Sequence, residues 1–326
     1  MLDGFSLDQL RTFIAAAEAG SFSAAGRKLG RAQSVISQTI ANLEGQIGLA
    51  LFERTGRVPV LTERGRSLLA DARDVADSID AFKVRAKGLQ AGLEPELSLV
   101  ADVLFPMPVL TAAARAFAEA FPSVPLRLQV EALGAVAEPV LEGRCRLGMF
   151  VSLPLLPPGL VKEPLLRVKL LMVAAPTHPL AAEAAPIPME ILARHTQLVL
   201  SDRSRLSEGR EYGVFSPRTW RLSDLGAKHA FLLAGLGWGG MPLSAVERDL
   251  AAGTLVPLRI AGGPEAAMLE MPVYAIYRAD APPGPAGRWM IDHIKGYETA
   301  AAASDEAGTN APDKACSMSD CVSATP

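Results

Sequence analysis

The sequence predicts an α/β protein preceded by a small all-α module and a long coiled-coil helix, and three observations carry that reading. Apolar residues recur at helical spacing from Leu7 to about Gly48, with glycines at the breaks. Seven apolar residues from Leu68 to Leu89 are spaced 4, 3, 4, 3, 4, 3. From Leu97 onward, short apolar or alternating segments are interleaved with helical ones, a pattern that implies parallel α/β sheets. A length of 326 residues leaves room for two or more domains. With 49% apolar and 21% charged residues the chain reads as globular, not as a disordered, collagenous or disulfide-stapled one. No stretch approaches the roughly 18 uninterrupted apolar residues of a membrane span, and MLDGFSLDQL lacks the basic-then-apolar order of a secretory signal, so a cytoplasmic protein is expected.

Three helices are implied first. One runs from Leu7 to Ala19, with Leu7, Leu10, Phe13, Ile14 and Ala17 on one face and Gly20 as its stop. The second, Phe22 to Leu29, takes Ser21 or Ser23 as cap and stops at Gly30. The third starts between Ala32 and Ser34 and reaches Ile47, burying Val35, Ile36, Ile40 and Leu43. Residues 49–61 read as an apolar anchor followed by a small β-ribbon turning at Thr55-Gly56, a wing. Thr62 then caps a long helix that carries the seam Leu68, Ala72, Val75, Ile79, Phe82, Ala86 and Leu89. A lone helix cannot bury such a stripe against itself, so a second copy of the chain is the simplest partner.

Gly92 and Pro95 mark a boundary, and α/β structure follows it. Strands are expected at Leu97–Val103, Leu126–Glu131, Arg146–Ser152, Lys169–Ala175 and Gln197–Ser201. Helical segments are expected at Pro108–Phe121, Gly134–Leu141, Met189–Arg194 and Asp224–Ala234. A last strand and helix, Pro272–Arg278 and Pro285–Tyr297, can return to the first subdomain. The resulting division is 1–61, 62–92 and 93–298, the last split into subdomain I (93–165 and 271–298) and subdomain II (166–270). Residues 299–326 lack Leu, Ile, Phe, Tyr and Trp and are expected to form a disordered tail.

The net charge is −3, yet Gly20 to Arg66 holds seven basic and three acidic residues. A short helix, a glycine turn and a second helix with a polar face match a helix-turn-helix, whose second helix enters the DNA major groove. Amides such as Gln33 and Gln38 can bond adenine edges, and the hydroxyls of Ser34 and Ser37 can reach bases or phosphates. Arg31, Arg54, Arg57 and Arg64 would neutralise phosphates without reading sequence. A three-helix cap with a merely solvated polar face is the alternative.

The run LRTFIAAAEAGSFSAAGRKLGRAQSVISQTIANLEGQIGLALFERTGRVPVLTERG, the seam helix, LMVAAPTHPLA at Leu171–Ala181 and AGLGWGGMP at Ala234–Pro242 together closely resemble LysR-type transcriptional regulators. The resemblance implies a winged helix-turn-helix, a dimerising linker helix and a periplasmic-binding-protein-like effector domain of two α/β subdomains. It also implies a non-enzymatic protein whose partners are double-stranded promoter DNA and a small-molecule effector. The assembly implied is a homodimer, or a homotetramer of paired dimers, and the habitual effector is an organic or aromatic acid. Gln33, Ser34, Ser37 and Gln38 then occupy base-reading positions and Arg54, in LFER, a phosphate-contacting one. Ala32 departs from the usual Ser or Thr, so the cap hydroxyl is missing, a loss of about 1 kcal/mol.

Effector sites in such domains lie at the carboxyl ends of strands. That rule selects Ala101, Asp102, Val103, Leu104 and Phe105 after the first strand, Phe150, Val151 and Ser152 after another, and Ser201, Asp202 and Arg203 in the second subdomain. A carboxylate at Asp102 would repel an anion unless paired or protonated, and could instead accept a hydrogen bond from a ligand or cap the following helix. Phe105, Phe150 and Trp220 read either as pocket lining or as core. Arg203, Arg205, Arg218 or Arg221 could clamp a carboxylate, or could sit in a solvated loop.

Other signals point elsewhere. Gly235, Gly237 and Gly240 fit Gly-x-Gly-x-x-Gly but follow a helical run where a dinucleotide site needs a strand, so they read as a helix stop and close packing. His178, His195, His229 and His293 have no metal-ligand spacing, and no metal or cofactor is expected. Of three cysteines, Cys145 reads as a structural thiol, with a redox sensor as the rival, while Cys316 and Cys321 fall in the tail. An enzyme or solute carrier joined to an accessory DNA module would require clustered catalytic side chains in the cleft.

Overall fold

The computed structural model describes residues 4, 6–53, 59–151, 156–183, 186–201, 204, 206, 213–261 and 268–309. The chain divides into two units, Met1–Ala91 and Gly92–Pro326. In the first unit, α1 (Leu7–Ala19) begins at Ser6 with a reciprocal box: the Gln9 amide donates to Ser6 Oγ and the Ser6 amide to Gln9 Oε1. It ends at Gly20 in the left-handed region. Ser21, not Ser23, caps α2 (Phe22–Leu29) by accepting from the Ala24 amide at 3.1 Å. α3 spans Gln33–Ile47, and Gly26 lets α2 approach its start, since a Cβ there would lie 2.6 Å from the Arg31 carbonyl.

Ile36, Ile40 and Leu43 form the buried stripe of α3, packed with Phe13, Ala16, Ala25 and Leu51. Val35 departs from expectation: it is 46% exposed. One residue turns a helix by about 100°, which carries Val35 off the stripe that Ile36 defines. β1 (Phe52–Glu53) and β2 (Val60–Leu61) pair antiparallel as the wing's base. Phe52 meets Phe13 and Phe22 edge-on, and Glu44 accepts from the Leu51 and Phe52 amides at 2.8 and 3.1 Å. Residues 54–58 between the strands, with Arg54 and Arg57, lie outside the described residues.

Thr62 caps α4 (Glu63–Gln90), accepting from the Gly65 amide at 2.8 Å. The seven-residue seam divides in two. Leu68 and Ala72 pack into the unit's own core with α1, whereas Val75, Phe82 and Leu89 are exposed, Phe82 at 69%. Charges reinforce the α1–α4 contact through Arg11–Asp80 and through Glu18, which pairs with both Lys28 and Arg73.

The second unit is built on a nine-stranded sheet. Its elements in chain order are β3 (Leu97–Asp102), α5 (Met107–Ala120), β4 (Leu126–Glu131), a tight turn Leu133–Val136 running into α6 (Ala137–Leu141), β5 (Leu147–Val151), β6 (Leu160–Ala174), α7 (Met189–Leu192), β7 (Gln197–Leu200), β8 (Thr219–Leu222), α8 (Leu225–Leu233), β9 (Trp238–Pro242), α9 (Leu243–Ala252), β10 (Val256–Pro257), β11 (Met268–Arg278) and α10 (Pro285–Thr309). The strand order is β4-β3-β5-β11-β6-β9-β7-β8, with β10 on β6. β3 pairs parallel with β4 and β5, and β7 parallel with β8 and β9.

The sheet is not wholly parallel. β6 and β11 run antiparallel to each other and join the two parallel lobes, with a register shift at Val273/Tyr274 opposite Leu165. Leu97, Leu99 and Ala101 of β3 face a core with α5 and α10, while Val100 faces a second core with α6, so both sheet faces are covered. In the other lobe Leu171, Leu198, Leu232, Met241 and Val246 form one core, and Leu180, Leu192 and Trp238 another. α10 continues to Thr309, past residue 299 at which a disordered tail was expected to start. Ala300–Ala303 are strong helix formers, and composition poor in bulky apolar residues does not prevent a helix from running on. Residues 310–326, with Cys316 and Cys321, lie outside the described residues.

Candidate nucleic-acid interface and effector cleft

On α3 the first turn carries no side-chain cap, because Ala32 offers none. Gln33, Ser34 and Gln38 are exposed and Ser37 half-buried, so an amide-and-hydroxyl surface opens at the positive end of the helix dipole. Gln38 Nε2 donates to Asn42 Oδ1 at 2.8 Å, which fixes the orientation of its amide. Arg31 is engaged by Asp8 through two hydrogen bonds of 2.7 and 2.8 Å, and this guanidinium holds the Asp8 carboxyl below the usual carboxylate range. Arg64 is exposed on the first turn of α4.

In the second unit a cavity of about 280 Å³ opens between the two lobes. Gln129, Glu131, Ala132, Ala135, Glu138, Pro139 and Arg144 line it from one side and Ser201, Ser204 and Ser223 from the other. Glu131 ends β4, and Ser201 and Ser223 directly follow β7 and β8, so the cavity lies at the carboxyl ends of these strands. Leu133 takes a left-handed φ of 51° at the turn that carries Ala132 and Ala135 to the wall. Arg144 donates to Glu142 at 2.6 Å, and among the described residues Glu131 and Glu138 carry no ion pair.

Of the residues expected at the effector site, Ser201 lines this cavity. Ala101 and Phe105 sit in the core beside α5, and Phe150 in the core beside α6. Asp102 is 3% exposed and accepts from the Leu104 amide at 2.9 Å; it caps this turn, whereas α5 starts later, at Met107. Val103 and Leu104 are half-buried on that turn. Trp220 lies on β8, 46% exposed and edge-on to Phe231. Ser152, Asp202, Arg203 and Arg205 lie outside the described residues. Arg218 donates to the Arg194 carbonyl at 3.0 Å, which makes it a fastener of the loop before β8. The rule that selected Ser201 also reaches Glu131, the last residue of an expected strand. Ser223 was hidden because the arginines around Trp220 masked β8.

The remaining signals resolve structurally. Gly235 adopts φ 70° after α8, and a Cβ on Gly237 would lie 2.6 Å from the Thr196 carbonyl, so these glycines end a helix and permit close packing. Burial pushes the Cys145 thiol up, away from the thiolate that oxidation needs, and its Sγ lies 3.9 Å from Gln129 Oε1. Among the described residues no helix is long and apolar enough to cross a membrane.

Residues 7–66 match the family model described as bacterial regulatory helix-turn-helix protein, lysR family, and residues 90–298 match the LysR substrate binding domain. Among curated proteins, AceR of Acinetobacter baumannii is 29% identical over 289 residues, covering 88% of this chain and 96% of its own. The transcriptional activator AllS of Klebsiella pneumoniae is 30% identical over 252 residues, covering 76% of this chain and 93% of its own. Among solved structures, a hydrogen-peroxide-bound cysteine mutant of OxyR from Corynebacterium glutamicum has a TM-score of 0.51 at 24% identity, covering 95% of this chain and 99% of that one. A second OxyR cysteine mutant from the same organism has a TM-score of 0.54 at 22% identity, covering 93% and 96%. Both share the fold of this chain. With its two family segments in order and its sheet divided into two lobes, the chain belongs to the LysR family: it is a DNA-binding transcriptional regulator with an effector-binding domain, and not an enzyme.

Proposed function

We propose that this regulator acts in the cytoplasm as a homodimer or a pair of dimers, reads an interrupted palindrome with two copies of α3, and answers a small molecule held in the cleft between its lobes. The observation that carries the DNA reading is the uncapped, exposed start of α3. Recognition helices contact base edges from their amino-terminal residues, and this one presents Gln33, Ser34, Ser37 and Gln38 there. Arg31 and Arg64, with Arg54 and Arg57 of the segment between β1 and β2, meet backbone phosphates; Arg31 exchanges Asp8 for phosphate when it does so. The second copy covers the exposed part of the α4 seam, Val75, Ile79, Phe82, Ala86 and Leu89. Leu68 and Ala72 serve the seam indirectly by seating α4 on α1.

In the effector domain, subdomain I (93–165 and 271–298) and subdomain II (166–270) contribute opposite walls, and Ser201 with Ser204 and Ser223 faces Glu131 and Glu138 across the cavity. Asp102 shapes the turn behind the wall. An organic or aromatic acid, the habitual effector of such domains, meets one described cation in this cavity, Arg144, which Glu142 already pairs. The test is binding of a native promoter fragment against random duplex over a salt series. Gln33→Ala and Ser37→Ala should narrow the gap between the two duplexes by about 1–3 kcal/mol each. Arg64→Ala should weaken both duplexes alike and flatten the salt dependence. Equal losses on both duplexes for all three variants overturn the role assignments.

A further inference from the structure

We infer that the cleft takes a small, hydrophilic, positively charged effector, an amine carrying hydroxyl or further amino groups, rather than an acid. This rests on the cleft being the effector site. Glu131, at the end of β4, and Glu138, on α6, both line the cavity, and among the described residues neither carries an ion pair. Arg144 lines it too, but it is paired with Glu142 at 2.6 Å and its charge also acts on Glu138, so among the described lining residues the carboxylates outnumber the cations.

Bringing a further carboxylate into a confined space beside Glu131 and Glu138 is repulsive, and the repulsion strengthens as water is expelled. An ammonium reverses the sign of that interaction and donates charge-assisted hydrogen bonds to the same oxygens. Across the cavity, Ser201 and Ser223 offer hydroxyls from the other lobe, suited to ligand hydroxyl or amino groups. No aromatic side chain stands among the described lining residues, so these residues offer no ring face to stack on. A volume of about 280 Å³ limits the ligand to the small end of the range. A cation held by the glutamates on one side and the serines on the other draws the lobes together, which supplies the differential affinity that a switch requires.

The full-length protein, free of DNA, is titrated calorimetrically with two matched pairs: 1,4-diaminobutane against succinate, and glucosamine against gluconate. At least one amine should bind tenfold or more tightly than its matched acid. Glu131→Gln and Glu138→Gln should each weaken that amine about tenfold, with thermal midpoint and promoter affinity unchanged. Tighter binding of either acid, amine binding indifferent to both substitutions, or no binding by either amine overturns the inference. Promoter selection by the same preparation separates the two claims: its loss removes the regulator reading, while the titrations still decide the chemistry of the cleft.

Discussion

A buried ammonium with little to hold weakens a fold, and Lys228 is in that position. It is 4% exposed on α8, and among the described residues its Nζ donates to one group, the Gly240 carbonyl, at 2.6 Å. Burial depresses its ionisation from the ordinary 10.5 to about 8. Because the folded value lies below the unfolded one, the charged form is disfavoured in the native state. The penalty is full below about pH 8 and fades as pH rises toward 10.5. Each unit of such a shift corresponds to about 1.4 kcal/mol, so the cost at neutral pH is on the order of 3 kcal/mol. Lys228→Met should therefore raise stability in urea by roughly 1–2 kcal/mol at pH 7, the loss of the Gly240 partner absorbing the rest. At pH 10 the advantage should shrink. An equal advantage at both values would assign it to packing alone.

Among the elements, α4 behaves least as its sequence pattern suggests. The heptad spacing is continuous, but Leu68 and Ala72 are consumed by contacts with α1, and Val75, Phe82 and Leu89 are left outside. Charged replacements of the second group should dissociate the dimer without unfolding the chain: Val75→Glu with Phe82→Glu should halve the mass seen by sedimentation while the helical circular dichroism persists. Leu68→Glu should instead unfold the first unit. Periodicity revealed the helix and its stripe, but it cannot say which half of a stripe is satisfied at home. The same limit applies elsewhere. β8 was concealed by Arg218, Trp220 and Arg221, and α9 by the proline before it. The first half of β6 was broken up in sequence by Lys162, Glu163 and Pro164. Glu94 is the plainest case: its carboxylate accepts from the Ala286 and Gly287 amides at 3.0 and 2.9 Å and caps α10 from 192 positions away. Nothing local to either segment announces that bond. The exposed polar face at the start of α3, by contrast, was readable in advance, because the helix, its glycine stop and that face all belong to one stretch of chain.

For the molecule as a whole, the two units have separate cores, which predicts separate melting. Trp220, Trp238 and Trp289 all belong to the second unit, so indole fluorescence follows that unit alone, whereas far-ultraviolet dichroism follows both. Urea curves from the two probes should not superimpose; coincident curves would show that the units unfold as one. The cleft was less legible than the fold, because its walls come from strand ends that only the sheet order brings face to face, and because Phe105 and Phe150 were claimed by the interior. The passage of β6 and β11 side by side between the lobes has a mechanical result. A pair of hydrogen-bonded strands acts as a torsion bar and not as a swivel, so approach of the lobes is shared as a small rotation along its length, eased where Leu165 is the extra residue. Occupancy of the cleft would be transmitted as wind in that ribbon, and it would unwind when the occupant leaves.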